Sequence, residues 1–307
     1  MRTLRLFLAD ALQFFLAPGL AALLPWRLAR RWLRWLAGFG RGPFAEASRA
    51  ALATAPAHFD VGDAARFAAD VRLVWLLDTT DLYLSLRHRD RAWRPWHVQR
   101  VGEWPRGGAF IATGFHHGTG LWAFRSLAEA GRDSMLVSAR WDRGDFAGLP
   151  LRYAYGRLRG AEVERLGANP VAFRPGARAP LSAALARGAC VVGVIDMPPR
   201  LAPRGQRPVR LLGQRASFPD GLLALAREAG VPLVPYWIEF DLVACTRRLC
   251  IGAPLDPHDV DGTLQALADI LDAQIRRTPA AWTFWPEWPQ WLTDAAAIAA
   301  PEASPPS

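Results

Sequence analysis

From about residue 108, short apolar runs alternate with segments that predict helices. The apolar runs that predict strands cover 108–113, 134–139, 189–195 and 231–240. The segments that predict helices lie between these runs, at 121–130, 181–187 and 221–229. Strands that alternate with helices of about ten residues are typical of βαβ units. The pattern therefore predicts an α/β fold in a single domain, with a central mixed or mostly parallel sheet flanked by helices.

A further helix is predicted at 262–277, because its large apolar residues recur on one face. Beyond Leu292 the chain is rich in Ala, Pro and Ser, a composition that predicts a disordered tail at 293–307. We see no internal repeat. The α/β domain is accordingly assigned to 41–292, and residues 1–40 are assigned to membrane-associating helices.

The first part of that N-terminal region is apolar. Residues 11–26 carry no charge, but they fall short of the roughly 20 apolar residues that a spanning helix needs. Pro18 is expected to kink this helix, because proline removes a backbone hydrogen bond. The run also lacks the small-residue cleavage site of a signal peptide. The pattern leaves open whether this segment spans a membrane or only enters its surface.

The next segment combines arginines with large apolar residues. One helical face would carry Arg27, Arg30, Arg31 and Arg34, and another Leu28, Trp32, Trp35 and Leu36. Such a helix is suited to lie in an anionic membrane interface. The alternative is a surface helix that packs its Leu/Trp face on the core of the domain.

Charge and composition narrow the chemistry. The chain of 307 residues carries 37 basic side chains, all of them arginine, and a net charge of +9. The lack of lysine excludes Schiff-base chemistry. A basic surface suits nucleic acid, anionic lipid or an acidic protein, and charge alone does not choose between them. The three cysteines, Cys190, Cys245 and Cys250, lie in apolar or strand-like runs without metal-ligand spacing, so reduced core thiols and no metal site are expected.

The segment 114–120, Gly-Phe-His-His-Gly-Thr-Gly, falls between a predicted strand and a predicted helix. A neutral imidazole of His116 or His117 at such a turn could take a proton from a substrate hydroxyl. The alternative is a buried histidine that the backbone satisfies, within a glycine-rich turn. Asp196 directly follows the apolar run 189–195. A carboxylate at the end of such a strand often contacts a catalytic centre. The alternative is that Asp196 caps the following turn.

Several common motifs are absent. The chain has no Gly-x-Ser-x-Gly elbow, no P-loop and no Gly-x-Gly-x-x-Gly after a strand. Hydrolase, nucleotidase and dehydrogenase functions lose support accordingly, and no cofactor is expected.

A resemblance adds to these observations. Gly114-Phe115-His116 resembles the start of the His-x4-Asp/Glu motif of bacterial lipid A late acyltransferases, in the lysophospholipid acyltransferase superfamily. Further segments resemble the family's pieces in the same order along residues 1–292: 138–140, 156–159, 185–196, 218–240 and 275–282. No single motif is long, so the order of the pieces carries the resemblance.

The resemblance implies transfer of a fatty acyl group from acyl carrier protein or acyl-CoA to a lipid A precursor or a related glycolipid or lysophospholipid. His116 would be the base, and Arg159, in a turn, would bind phosphate or the oxyanion, with Arg140 a weaker candidate. Backbone amides near Gly118 and Thr119 would help to stabilise the oxyanion. The implied location is the cytoplasmic face of the inner membrane, with a lipid and not nucleic acid as partner.

The motif's acidic residue is missing. Leu121 stands five positions after His116, and Trp122 stands five after His117. Three interpretations follow. His117 or Asp196 supplies the polar partner, the enzyme is slow or specialised, or the chain is a non-catalytic lipid-binding protein on the same fold.

Overall fold

A computed structural model describes residues 2–90, 93–140 and 142–292. Its centre is a seven-stranded sheet, whose strands in spatial order are β1 (Val98–Val101), β9 (Thr246–Ile251), β8 (Leu233–Asp241), β2 (Ile111–Gly114), β5 (Cys190–Val194), β3 (Ser134–Ala139) and β4 (Ala172–Arg174). Strands β8 and β9 run antiparallel, and every other neighbouring pair of the described sheet is parallel. This confirms the predicted α/β class and the mostly parallel sheet. The predicted tail at 293–307 lies outside the described residues.

A separate antiparallel hairpin consists of β6 (Gln206–Leu211) and β7 (Gln214–Pro219). The helices are α1 (Arg2–Ala11), α2 (Ala17–Leu23), α3 (Trp26–Gly38), α4 (Ala45–Thr54), α5 (Ala64–Arg87), α6 (Leu121–Glu129), α7 (Pro150–Gly167), α8 (Arg178–Ala186), α9 (Gly221–Ala229) and α10 (Val260–Arg277).

The predicted elements all occur, with ends that shift by up to three residues. Strand β3 and helix α9 have the predicted bounds, whereas the strand predicted at 108–113 is observed as β2. One local prediction is wrong: residues 156–159 form no turn but lie inside helix α7, whose 18 residues run through two glycines.

Two neighbouring strands place the candidate site. Strands β2 and β5 are parallel and in register, with Gly114 beside Val194. The amide of Ile195 continues the ladder to the carbonyl of Gly114 at 3.1 Å. Because the carboxyl ends of parallel strands meet at one edge of a sheet, the residues that follow β2 and β5 are neighbours in space.

The N-terminal region begins with a long helix that contains a π-helical segment, Leu12–Leu16, between α1 and α2. Pro18 has no N–H, so the carbonyl of Phe14 has no partner four residues on. The hydroxyl of Tyr83 donates to that carbonyl at 2.7 Å. The expected disturbance at Pro18 therefore appears as a wider helical turn before it, held by α5.

Helix α3 divides its residues into a buried and an exposed set. Ala29, Leu33 and Leu36 are buried in the core that α3 shares with α5, whereas Leu28 and Trp35 are 49% and 57% exposed. Leu36 was grouped with Leu28 and Trp35 on one face, but its side chain lies in the core, as the alternative interpretation of this helix expects. One segment, Leu4–Leu23, is long and apolar enough to cross a membrane, and one third of it is buried in the protein.

Candidate active site

His116 and Asp196 meet where β2 and β5 end. Nδ1 of His116 lies 3.0 Å from Oδ1 of Asp196. The backbone N–H of His116 also donates to both carboxylate oxygens at 2.9 Å. The carboxylate therefore binds the main chain and the ring of the same residue, and this fixes the orientation of the imidazole.

The carboxylate of Asp196 is fully buried. Besides His116, the indole Nε1–H of Trp282 donates to Oδ2 at 3.1 Å. Burial of a carboxylate is costly unless hydrogen bonds satisfy it, and three donor groups supply that satisfaction here. Asp196 thus provides the polar partner that positions 121 and 122 lack.

This hydrogen bond selects the tautomer of His116. A carboxylate accepts hydrogen bonds, so it pairs with Nδ1–H and leaves the lone pair of Nε2 available. The side chain of His116 is 31% exposed and lines a cleft. The ring of Phe284 packs on it with 4.2 Å between centroids. A ring held in this way can act as a general base, because Nε2 keeps its lone pair.

His117 points the other way. Its side chain is buried, and Nε2 lies 3.1 Å from the carbonyl oxygen of Thr278. Burial lowers the pKa of His117 to about 4. Since Asp196 forms its hydrogen bond with His116, His117 is the neutral, buried histidine of the alternative for this turn. It is bonded to the backbone through Nε2, while its Nδ1 has no partner among the described residues.

The backbone of the turn is largely engaged. The N–H of Gly118, expected to help bind an oxyanion, donates to the carbonyl of Ala281 at 3.0 Å. Gly118 has a φ of 85°, and a Cβ there would overlap the ring of Phe240, so only glycine fits. Thr119 is fully buried, and its hydroxyl has no hydrogen-bond partner within the described residues.

The two predicted arginines lie outside the cleft. Arg159 forms a paired hydrogen bond with Asp78, at 2.9 and 3.0 Å, and its Nη1 also contacts the hydroxyl of Tyr155. Arg159 does not line the cleft, and Asp78 on α5 occupies its guanidinium. Arg140 is exposed directly after β3, next to cleft residues 138 and 139 but not among those that line the cleft.

The cleft beside His116 has a volume of about 900 Å³. Apolar side chains dominate its walls, among them Leu136, Val137, Leu181, Ile195, Met197, Leu201, Leu222 and Leu225. Ligand sites of this kind bind an apolar body and fix it with a few polar groups.

Arginines supply most of the polar side chains of the cleft, beside His116 and Ser138. Arg174, Arg178 and Arg204 all line it. Arg178 pairs with Glu228, but neither Arg174 nor Arg204 has a carboxylate partner among the residues that the structure describes. An unpaired arginine suits an anionic group such as phosphate. Sequence reasoning missed these residues, since nothing separates them locally from the other arginines.

A segment near the C-terminus closes the site. The amide and the hydroxyl of Thr283 donate to the carbonyl of His116 at 3.0 and 3.1 Å. Trp282 and Phe284, on either side of Thr283, contact Asp196 and His116. In the sequence, the aromatic residues that begin at 282 were the one signal for this segment, but their spacing has no period that would indicate a site. Within the described part of the chain, no cluster of His, Cys, Asp or Glu could hold a metal ion.

Comparisons with known proteins give little further constraint. No family model matches the chain. No curated protein matches it either. Among solved structures, the crystal structure of the 1-acyl-sn-glycerophosphate (LPA) acyltransferase PlsC from Thermotoga maritima aligns with 91% of this chain and 98% of its own, at 15% identity and a TM-score of 0.34. A likeness this weak supports no functional argument, so function has to be inferred from the geometry around His116.

Proposed function

We propose that the chain is a membrane-associated O-acyltransferase that moves a fatty acyl group from a thioester to the hydroxyl of a lipid. One observation carries the proposal: His116, held by Asp196, lines a largely apolar cleft of about 900 Å³. The pair supplies a base, and the cleft supplies room for an acyl chain.

The chemistry follows from the orientation of the ring. Nε2 of His116 takes the proton from the acceptor hydroxyl while the oxygen of that hydroxyl attacks the thioester carbonyl. The tetrahedral intermediate then collapses, the C–S bond breaks, and the leaving thiolate takes the proton back from the imidazolium. The buried carboxylate of Asp196 stabilises the imidazolium while it exists.

The walls of the cleft favour a lipid that carries an anionic group. The apolar side chains suit an acyl chain, and the unpaired guanidinium groups of Arg174 and Arg204 suit a phosphate. A lipid A precursor, a related glycolipid or a lysophospholipid combines both features, and we propose such an acceptor.

We further propose that the donor is carried by an acidic acyl carrier protein in preference to coenzyme A. Arg204 and Pro219 flank the β6–β7 hairpin and line the cleft. On the hairpin, Arg210 and Arg215 stand directly opposite each other, both exposed, with no carboxylate partner in the described structure. Like charges in such a pair destabilise a hairpin, so an anionic partner would relieve the repulsion.

The N-terminal helices are the proposed membrane contact. Helix α1 and its continuation expose Phe7, Leu16 and Leu23, while α3 exposes Trp35 beside Arg34. Apolar side chains beside arginines match the surface of an anionic leaflet. We place the protein at the cytoplasmic face of the inner membrane, where an acyl carrier protein would reach it.

Transfer of a labelled acyl chain tests the proposal. The purified protein would be mixed with acyl carrier protein loaded with radiolabelled fatty acid, or with acyl-CoA, and with lipid A precursors or lysophospholipids in mixed micelles. We expect His116→Ala to lower the rate at least about 100-fold, the usual contribution of a general base.

The matched control is His258→Ala, since His258 is exposed and does not line the cleft. The control should retain the wild-type rate. Equal rates for wild type and His116→Ala would remove His116 from the mechanism. Lipid binding without transfer by the wild-type protein would support the non-catalytic alternative instead.

A further inference from the structure

We propose that Trp282 is a positioning residue, whose indole N–H holds the Asp196 carboxylate in the rotation that orients His116. This inference rests on the proposed acyl transfer, but its structural part can be tested separately.

The two carboxylate oxygens of Asp196 have different side-chain partners. Oδ1 faces Nδ1 of His116 at 3.0 Å, and Oδ2 accepts from Nε1 of Trp282 at 3.1 Å. The backbone N–H of His116 lies 2.9 Å from each oxygen, so it does not by itself fix which oxygen meets the ring. The indole donor breaks this symmetry, because it engages Oδ2 alone and so leaves Oδ1 to the imidazole.

The position of Trp282 is itself fixed by hydrogen bonds to the turn that carries His116. Residues 117 and 282 form a β-bridge. On one side of Trp282, the carbonyl of Ala281 accepts from Gly118, and on the other Thr283 donates to the carbonyl of His116. The indole is almost completely buried. It is therefore a rigid donor attached by main-chain hydrogen bonds to the same turn that carries His116.

Neighbouring tryptophans provide a matched comparison. Trp288 and Trp291 pack on Trp282, each with 5.7 Å between ring centroids. Both are fully buried, and the structure gives their indole N–H groups no partner among the described residues. Replacement of Trp291 by phenylalanine removes the same volume from the same cluster without breaking a hydrogen bond to Asp196.

The test compares Trp282→Phe with Trp291→Phe in two measurements. In the acyl-transfer assay, Trp282→Phe should lower kcat about ten- to a hundredfold, the effect of losing one hydrogen bond to a charged group, and leave KM within about threefold. Trp291→Phe should leave both constants within about threefold of wild type. A merely structural role would affect the two variants alike.

The second measurement needs no activity. The Nδ1–H proton of His116, bonded to a carboxylate, should give a low-field proton NMR resonance that disappears in His116→Ala. Trp282→Phe should shift or broaden this resonance, and Trp291→Phe should leave it in place. If thermal unfolding shows that Trp282→Phe is not folded, 3-benzothienylalanine is placed at position 282 instead, because it keeps the ring shape and removes only the N–H.

The outcomes separate the two proposals. A wild-type protein without transfer refutes the enzymatic function, while the resonance still reports on Trp282. The positioning role is overturned if loss of the indole N–H leaves kcat or the resonance unchanged, or if Trp291→Phe changes them equally.

Discussion

Replacement of Asp196 by asparagine is the most direct perturbation of the candidate site. The side chain keeps its size but exchanges one acceptor oxygen for an NH₂ donor. In the structure both oxygens accept, Oδ1 from the ring of His116, Oδ2 from Trp282, and both from the backbone N–H of His116. Asparagine cannot satisfy all of these donors, whichever way its amide is turned.

The two orientations of the amide give different defects. With its NH₂ toward Nδ1 of His116, the ring must accept there, so Nε2 carries the proton and cannot act as a base. With its NH₂ toward Trp282, two donors face each other in a buried space. An unsatisfied buried group costs about 1–3 kcal/mol, and the Asp196→Asn variant would also lose the negative charge that stabilises the imidazolium. We expect kcat to fall about 100- to 10,000-fold, the range for loss of general-base catalysis.

The assay is single-turnover acyl transfer at 25 °C, with thermal unfolding of each variant as a check on folding. A loss of about 1–3 kcal/mol lowers the melting temperature by several degrees in a chain of this size and leaves the protein folded at 25 °C. Asp60→Asn is the control, because Asp60 is exposed and caps a local turn that asparagine can also cap. Transfer by Asp196→Asn within about threefold of wild type would refute the role of the pair.

Two other predictions concern acid stability and the donor. Burial lowers the pKa of His117 to about 4 and that of His97 to about 2. The unfolded chain therefore binds more protons below about pH 6.5, so stability falls as the pH drops, by about 5 kcal/mol for the two together at pH 4.5. The free energy of unfolding, measured with guanidinium at pH 7 and pH 4.5, should show this loss. In His97→Phe the loss should be about half as large. A loss of the same size in wild type and His97→Phe would contradict the role given to His97. Arg210→Glu and Arg215→Glu should each raise KM for acyl carrier protein about tenfold and barely change KM for a small acyl thioester. Arg106, which is exposed elsewhere, provides the control: Arg106→Glu should change neither KM. Equal effects on both donors would refute the docking of a carrier on the hairpin.

The central strands could be predicted from the sequence because strands buried on both faces read as continuous apolar runs. Strands β5 and β8 are of this kind. The missed strands are short or polar: β4 has three residues, and β6 carries exposed arginines. Helix α7 was missed for another reason: Gly156 and Gly160 within it favour a turn, whereas in the protein the helix packs on α6, β3 and α1.

At the candidate site, the sequence indicated His116 and offered Asp196 or His117 as its polar partner, but it did not choose between the two. His116 stood out by its turn, and Asp196 by its place after an apolar strand. The fold decides for Asp196, because the pairing joins residues 80 positions apart that meet at the carboxyl ends of two neighbouring parallel strands. The same limit applies to Arg159: its prediction as a substrate ligand could not anticipate Asp78, which lies on a helix 81 positions away and occupies its guanidinium.

The parallel sheet explains how a carboxylate reaches His116 although residues 117–122 include none. Positions 121 and 122 are both core: Leu121 is buried, and the indole of Trp122 donates to Asp81 at 2.7 Å. A carboxylate can reach His116 from another direction, because β5 is the parallel neighbour of β2 and its next residues emerge at the same edge. Asp196 is two residues beyond β5 and meets both the ring and the amide of His116. A carboxylate at the end of an adjacent parallel strand can thus orient the imidazole, since the ladder of the sheet fixes its distance from the ring.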